Sequence, residues 1–312
     1  MRSISDNIRR KAIELGFHKF GFAKVEPLSA ESEKFRDWLS HGYQGTMAWL
    51  EKNPENRIDP RKILPDAKSV ISVAMNYYNK NSYSNDLSKG KISRYALGGD
   101  YHVVLKTRLN CLMDYIKEID PLARGKVFVD SGDIMEKTWV VRAGIGWRGK
   151  HSITVTKEFG SWVFLGEIIL NLELEYDLPA TDLCGDCHEC IDACPTNAII
   201  TPYVLDANRC IAYLTIEHKG EIKRSLSEKF DNQIFGCDLC QESCPWNKKK
   251  AKMTDVKEFF QNKDYYSLKL ESLLKLTQKD FNELFRDSPI KRSGLSRLKR
   301  NVRVIIENIE MK

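Results

Sequence analysis

The sequence lacks any long apolar segment. Nowhere do about eighteen apolar residues run together, and the Arg9-Arg10 pair near the N-terminus has no apolar stretch behind it. Neither a membrane-spanning helix nor an export signal is therefore predicted. With 42% hydrophobic and 29% charged residues, the composition is that of a folded globular protein. We expect a soluble cytoplasmic protein that does not bind a membrane.

Two common nucleotide-binding motifs are also missing. No P-loop is present, and the glycines of segment 144–149 follow a helix-like segment and not a strand, so a Rossmann nicotinamide site is not supported. The net charge of +6 is modest for 312 residues. The surface as a whole does not indicate a polyanionic partner.

Cysteine, by contrast, is concentrated in one region, because eight of the nine cysteines lie between positions 184 and 244. A chain without an export signal is not expected to use them as a disulfide scaffold, so cofactor ligation is the better interpretation. The ninth, Cys111, lies in a segment of helical spacing and is predicted to be a buried packing residue.

The cysteine spacing is that of a bacterial ferredoxin. A C-x2-C-x2-C-x3-C-P run over residues 184–195 is followed by a second half that residues 211–236 interrupt. In such proteins three cysteines of one half hold a [4Fe–4S] cluster and the fourth ligates the other cluster. This crossover predicts two ligand sets: Cys184, Cys187, Cys190 and Cys244 in one, and Cys194, Cys210, Cys237 and Cys240 in the other. A four-thiolate zinc site is the alternative, but zinc does not require the Cys-Pro pairs.

The rest of the chain mixes predicted helices with predicted strands. Helices are predicted in residues 1–66, over Tyr101–Ile119 and over Glu136–Ala143, and strands over Ser69–Met75, Lys126–Asp130, Ser152–Thr156 and Ser161–Leu170. The polar stretch Asn79–Lys91 predicts a mobile loop. The irregular order favours an α+β fold, which we divide into an α+β domain (1–175), a ferredoxin-like module (176–250) and a basic helical C-terminal segment (251–312).

Positive charge is concentrated in the last quarter of the chain. One run comprises Lys248, Lys249, Lys250 and Lys252, and another comprises Arg286, Lys291, Arg292, Arg297, Lys299, Arg300 and Arg303. The pattern fits a solvated helical face and a phosphate-binding surface equally well.

Several short segments, taken in their order along the chain, resemble the epoxyqueuosine reductase family. They are Asn56–Pro60, Ser93–His102, Val129–Gly132, Arg142–Trp147, both cysteine motifs and Leu214–Gly220. The resemblance implies an enzyme that uses cobalamin and two [4Fe–4S] clusters to reduce the epoxide of epoxyqueuosine in a tRNA anticodon loop. It also implies a cobalamin-binding domain similar to that of reductive dehalogenases before the clusters, and an external electron donor.

The same resemblance implies roles for individual residues. Asp130 matches the family's proton donor and is expected, like Arg57, to contact cobalamin. The corrinoid pocket is expected to include Ser93, Tyr95, Lys150, His151 and Ser152. Contacts with tRNA are expected from Lys219, Arg297, Lys299 and Arg300. We expect a monomer.

The surroundings of Asp130 leave alternatives open. Asp130 could cap the helix that follows it, and Asp133, where many family members have proline, is a second carboxylate that could hold the proton. To be half-protonated at neutral pH, Asp130 needs a pKa about 3 units above the ordinary 3.9, and burial against the corrin is expected to supply this. His102 lies in a near match to a corrinoid-binding motif and is predicted to be structural, because Leu105 replaces the motif's glycine.

Two other functions use the same features. A reductive dehalogenase would carry the same cofactors, but its usual export segment is missing. A role in electron transfer alone, without a substrate, would account for the clusters. It would not account for Asp130 at a strand end or for the large domain without clusters.

Overall fold

The computed structural model of the protein describes residues 3–80, 83, 86–266 and 268–311. Within these residues, no helix is long and apolar enough to cross a membrane. The predicted mobile loop, Asn79–Lys91, is covered only in part, because residues 81, 82, 84 and 85 lie outside the described residues.

A four-stranded antiparallel sheet organises the first half of the chain. The strands in the described part of the chain, within this sheet and outside it, are β1 (Lys19–Lys24), β2 (Ser69–Asn76), β3 (Lys91–Ile92), β4 (Gly125–Phe128), β5 (Trp147–Arg148), β6 (Thr154–Val155), β7 (Val163–Leu170), β8 (Ile199–Thr201), β9 (Val204–Leu205) and β10 (Gln233–Phe235). The sheet has the order β1-β2-β7-β4. The other strands form pairs: β3 is parallel to β10, and β5–β6 and β8–β9 are antiparallel.

Short helices surround these strands. They are α1 (Ile4–Glu14), α2 (Ser29–Ser40), α3 (Pro54–Ile58), α4 (Tyr101–Ile119), α5 (Glu136–Arg142), α6 (Glu189–Asp192), α7 (Ile211–Ile216), α8 (Arg224–Ser227), α9 (Leu239–Ser243), α10 (Pro245–Lys250), α11 (Leu270–Lys275), α12 (Gln278–Leu284) and α13 (Leu295–Glu310). Single 3₁₀ turns connect them at Ala48–Glu51, Pro60–Lys62, Arg94–Ala96, Ala207–Arg209, Lys257–Phe259, Lys263–Tyr266 and Pro289–Ser293.

The sheet is covered on both faces because its central strand β2 is apolar on both. Ile71, Val73 and Met75 belong to a core that α1 and α4 close, whereas Val70 and Ala74 belong to a core closed by α5. Successive residues of a strand point to opposite faces, so a continuous apolar run needs two covering layers. The predicted α+β class is confirmed.

A third core joins the cysteine-rich module to the C-terminal segment. In α13, Leu298, Val302 and Ile305 are at most 1% exposed and pack with α7 and β10. Full burial of each such side chain contributes about 1.5–3 kcal/mol. Ile92 and Ala96, which precede α4, belong to the same core. All three predicted segments of the chain therefore contribute to one core.

Two local predictions are wrong. Residues 19–24 were expected to be helical with the rest of residues 1–66, but they form β1, whose Phe22 is buried and whose pairing with β2 supplies the backbone partners. Cys111 is exposed and not buried, because α4 turns its other face, with Leu109 and Leu112, toward the sheet. The helix itself is confirmed over Tyr101–Ile119.

Candidate active site and cysteine module

Asp130 lies two residues beyond the end of β4, in a bend of the chain. Its φ of +58° is in the left-handed region, which aspartate tolerates better than most residues. The backbone N–H of Asp130 donates to Oε1 of Glu136, the first residue of α5, at 2.5 Å. The turn is thus held by its own following helix, and the Asp130 side chain remains 48% exposed.

The Asp130 carboxylate faces His102, near the start of α4. The distance from His102 Nε2 to Asp130 Oδ2 is 3.1 Å, and that from His102 Nδ1 to Asp100 Oδ1 is 2.7 Å. Although burial opposes the charge, hydrogen bonds to both carboxylates raise the pKa of His102 to about 9. At neutral pH His102 is an imidazolium that donates from both nitrogens. Its prediction as a purely structural residue missed this role, although the Asp100-x-His102 spacing was the available signal.

The charge on His102 changes what was expected of Asp130. Burial is the largest influence and raises the pKa of Asp130, but His102, Arg292 and a hydrogen bond from Tyr101 together lower it below its ordinary value. In the protein alone, the pKa of Asp130 therefore lies below its ordinary value, and the rise expected from burial against a corrin stays a prediction. The proton of this pair resides on His102.

Arg292, from the segment before α13, reaches the rim of this site. It forms an ion pair with Glu217 at 2.5 Å, its side chain is 58% exposed, and its charge acts on the pKa values of Asp130 and Tyr95. The sequence placed Arg292 only in a basic run, because nothing local connects it with residue 130.

Hydrogen bonds connect the loop after Asp130 to α3 and to the residue that precedes this helix. Arg57 is 5% exposed and donates to the Gly132 carbonyl at 3.0 Å and to Asp133 Oδ1 at 3.2 Å. Asn53 donates to Asp133 Oδ2 at 2.9 Å, and Asn56 does so at 3.5 Å. Asp133 thus anchors the loop through hydrogen bonds to Asn53, Asn56 and Arg57, and Arg57 also binds the loop at the Gly132 carbonyl. This structural role disfavours Asp133 as a second proton donor.

Some side chains near Asp130 reach solvent although many protein atoms lie close to their charged groups. Lys137 and Arg148 are both exposed, yet burial is the main cause that lowers the pKa of each. A side chain that reaches water while being desolvated lies on the wall of a concave site. Asp130 combines the same two properties, and Lys137 interacts electrostatically with both Asp130 and Arg148, so we infer that the three residues line a polar cleft.

The other predicted pocket residues lie where the first domain meets the cysteine module. Lys150 Nζ donates to the Gly185 carbonyl at 2.6 Å, and Ser152 Oγ donates to that of Tyr203 at 3.0 Å. His151 is 4% exposed, and burial and the charge of Lys137 lower its pKa to about 4, so its ring is neutral. These side chains lie at the contact between the first domain and the cysteine module, and we call such a contact a joint.

Ser93 and Asp238 make a second, fully buried joint. Asp238 lies between Cys237 and Cys240 and accepts from Ser93 Oγ at 2.5 Å and from the Arg94 N–H at 2.8 Å. Gly236 has φ +72°, and a Cβ there would lie 2.5 Å from Ser93 Cβ, so a close backbone approach requires glycine. The Ser93 hydroxyl donates within this joint and does not face the cleft.

Tyr95 connects this joint with the Asp130 site. Its ring contacts that of Tyr101 with centroids 6.2 Å apart and that of Phe235 at 6.1 Å. Tyr101 in turn stacks on the ring of His102 at 4.0 Å. Ring contacts therefore run without a gap from Phe235, two residues before Cys237, through Tyr95 and Tyr101 to His102, whose imidazole is hydrogen-bonded to Asp130.

The eight cysteines come together in two groups. Burial, then the charges of Cys244, Cys184 and Cys187, raise the pKa of the Cys190 thiol to about 11. Burial, then Cys237, Cys210 and Cys194, raise the pKa of the Cys240 thiol. The thiols that interact are those of the two sets that the ferredoxin crossover predicts.

The surroundings of these thiols fit iron–sulfur clusters. Trp147 Nε1–H donates to Cys184 Sγ at 3.4 Å, and the Ala198 N–H donates to Cys194 Sγ at 3.2 Å. Such hydrogen bonds set the reduction potentials of clusters. Among the described residues, no group of three or more His, Cys, Asp or Glu side chains is close enough to surround a single metal ion.

Two arginines predicted to contact tRNA, Arg297 and Arg300, make hydrogen bonds within the fold, and their contact with tRNA stays a prediction. Arg300 donates to the carbonyls of Leu214, His218 and Gly220 at 2.6–2.7 Å, and Arg297 donates to that of Ile216. They satisfy carbonyls at and beyond the C-terminus of α7, where cations are favoured. Lys219 is exposed and Lys299 half-buried, and both remain candidates for phosphate contacts.

Comparison with known families places both parts of the chain. The family model described as epoxyqueuosine reductase QueG, DUF1730, matches residues 57–131, which include Asp130. The family model described as 4Fe-4S double cluster binding domain matches residues 183–247. The predicted two-cluster module is thereby confirmed.

Similar proteins cover nearly the whole chain. The epoxyqueuosine reductase of Cellulophaga algicola is 42% identical over 298 residues, which are 96% of this chain and 96% of the relative. A crystal structure of epoxyqueuosine reductase with an epoxyqueuosine-modified tRNA-Tyr stem loop has a TM-score of 0.92 at 31% identity and covers 98% of this chain and 81% of that one. The Bacillus subtilis enzyme, with its aspartate catalytic loop swung out of the active site, has a TM-score of 0.90, 31% identity and the same coverage.

Proposed function

The chain belongs to the epoxyqueuosine reductase family, and we propose that it reduces the epoxide of epoxyqueuosine in a tRNA anticodon loop. In this proposal two [4Fe–4S] clusters are bound by the eight cysteines and cobalamin is bound in the polar cleft. The single observation that carries it is the Asp130–His102 pair, which lies in a cleft connected through Tyr95 to one cysteine set.

The cleft suits a large polar cofactor. The desolvated but exposed Lys137 and Arg148 line it, and Lys150 and Ser152 lie at its joint with the cysteine module. Together with Tyr95 and His151, these side chains would hold the corrin and its amide arms. Bound cobalamin supplies a low-potential metal centre for the reduction. Arg57 contributes indirectly, because it fastens the loop that carries Asp130.

Residues of the chain hold a proton and transfer it to the substrate. Opening the epoxide to an alkene consumes two electrons and two protons and releases water. In the open cleft the proton is on His102 and Asp130 is ionised. When substrate and cofactor exclude water, an ion pair becomes less favourable than its neutral form. The proton then moves to Asp130, which donates it to the epoxide oxygen as the C–O bond breaks.

The cysteine set of Cys194, Cys210, Cys237 and Cys240 would deliver the electrons. Asp238 lies within this set and is hydrogen-bonded to Ser93, two residues from Tyr95. The other set, with Cys184 and Cys187, would receive electrons from an external donor and pass them on. A cytoplasmic location and a monomeric state remain predictions.

The anticodon loop would approach from the side of Arg292. This side chain is exposed at the rim of the cleft, and Lys219 and Lys299 offer further positive charge. A base splayed out of a loop can enter such a pocket while cations hold the phosphates. The substrate is therefore proposed to meet Asp130 without unfolding of the tRNA stem.

The test is anaerobic reconstitution with cobalamin, iron and sulfide, followed by reaction of reduced protein with epoxyqueuosine-containing tRNA. Mass analysis of the tRNA nucleosides should show queuosine appearing as epoxyqueuosine disappears. Unchanged epoxyqueuosine, with both clusters reduced and corrinoid bound, would overturn the proposal.

A further inference from the structure

Glu167 is a buried carboxyl group that none of the preceding steps uses. It lies in the middle of β7 and is 0% exposed. Among the described residues no N–H or hydroxyl donor reaches either carboxyl oxygen, and its side-chain hydrogen bond is with the carboxyl group of Glu136, which requires a proton on one of the two. Ser72 lies directly opposite Glu167 on β2, and the Ser72 hydroxyl has no partner among these residues. Burial strongly disfavours an ionised carboxylate in this position, so the group requires an explanation.

Glu136 connects this buried carboxyl with the reaction site. One of its oxygens accepts the backbone N–H of Asp130 at 2.5 Å. Burial, then the charge of Asp130, raise the pKa of Glu136, and burial, then the charge of Glu136, raise the pKa of Glu167. Two carboxyls so close and so desolvated cannot both ionise, so a proton remains on the pair.

We infer that Glu136 and Glu167 share a proton that the reduction consumes, which makes them a proton store behind Asp130. The inference rests on the proposed function. One proton passes from His102 through Asp130 to the epoxide oxygen as its C–O bond breaks, and the two electrons come from the clusters. The second proton, from the Glu136–Glu167 pair, reaches the departing hydroxyl and completes water. The pair is left with an extra negative charge until solvent returns a proton.

Other charged groups set how tightly the pair holds its proton. Asp130 raises the pKa of Glu136, whereas Lys137, on the same helix, lowers it. From α3, Arg57 interacts favourably with the Glu136 charge, and from α4 the phenol of Tyr101 also interacts with it. A store that must release its proton needs such opposing influences, because a carboxyl held by burial alone would not ionise during turnover.

The shared proton can be observed without turnover. In infrared spectra of the full-length protein at neutral pH, we expect the carbonyl band of a protonated carboxylic acid, lost in Glu167→Gln and altered in Glu136→Gln. Exposed Glu173 lies just after β7, and Glu173→Gln is the matched control that should keep the band. A spectrum in which neither Glu167→Gln nor Glu136→Gln changes an acid band would overturn the inference. If one variant does not fold, the other decides.

Kinetics separate a proton store from a packing residue. Glutamine at 167 keeps the shape but cannot release a proton, so kcat should fall about 100-fold, the lower range for a positioned acid, with KM for tRNA unchanged. The alkaline limb of the kcat–pH profile should also change, and Glu167→Asp should restore part of the activity. A wild-type kcat and pH profile in Glu167→Gln would refute the store. Failure of the wild-type protein to act on epoxyqueuosine would instead refute the proposed function.

Discussion

The cysteine module and the Asp130 cleft are built in different ways. In the module, the ligand sets include cysteines separated by two residues, three of them in one set (Cys184, Cys187, Cys190) and two in the other (Cys237, Cys240), next to short helices. In the cleft, His102 comes from α4, Glu136 from α5 and Arg292 from the segment before α13. Local spacing therefore defines the first site, whereas only the packing of distant elements defines the second.

Burial also has opposite outcomes in the two regions. It raises the pKa of Cys190 to about 11, so a thiolate there requires the positive charge of iron. Around Asp130, burial is outweighed by the imidazolium of His102, and the pKa falls. The comparison shows that the nearest counter-charge, and not burial alone, decides the protonation state of a site.

The largest effect is expected from breaking the module. Cys240→Ser removes a ligand of the cluster set joined to Ser93, so electrons should no longer reach the cleft and turnover should be lost. Iron content should fall to about half if only that cluster is lost. Cys111→Ser, at an exposed cysteine outside both sets, is the control. Full iron content and activity in Cys240→Ser would contradict the assigned ligand set.

The next largest effect is expected in the cleft. Asp130→Asn keeps the shape but cannot carry a proton, so kcat should fall about 10²- to 10⁴-fold. Cluster absorbance and corrinoid content should be unchanged, since Asp130 ligates no iron and asparagine fills the same space beside the cofactor. Asp114→Asn, at an exposed position of α4, should retain full activity. Wild-type turnover by Asp130→Asn would exclude it as the donor.

A smaller effect distinguishes structural from tRNA-binding charges. Arg300→Ala leaves three carbonyls near α7 without their donor and should lower the free energy of unfolding by about 1–3 kcal/mol. Lys299→Ala should leave stability unchanged but reduce the salt dependence of tRNA binding by about one phosphate contact. Chemical denaturation and binding at several salt concentrations measure the two. Equal effects of both variants in both assays would contradict this division.

The smallest expected effect is on the pH dependence of stability. The pKa of His102 is raised from 6.5 to about 9 on folding. Its charge therefore stabilises the fold fully below pH 6.5, and this contribution is lost as the pH rises through about 9. Anaerobic thermal unfolding should show wild type losing its advantage over His102→Gln across this interval. Parallel curves would show that the imidazolium does not stabilise the fold.

Some elements were predictable because their signals are local. The α4 helix follows from apolar spacing, and β2 and β7 follow from runs of apolar residues. The edge strand β1 was missed because six residues beside helical segments carry too little pattern, and its partner β2 is distant in sequence. Cys111 was misplaced because helical spacing does not by itself say which face is covered.

The sequence alone determined the two-cluster chemistry, since the ferredoxin spacing specifies the number and types of ligands, and it located Asp130 at a strand end. Only the tertiary structure decided the protonation around it. Imidazolium His102 lowers the pKa of Asp130, Asp133 anchors the loop and Arg300 supports α7. The physical reason is that ligand sets are encoded by spacing along the chain, whereas electrostatic interactions depend on distances in space.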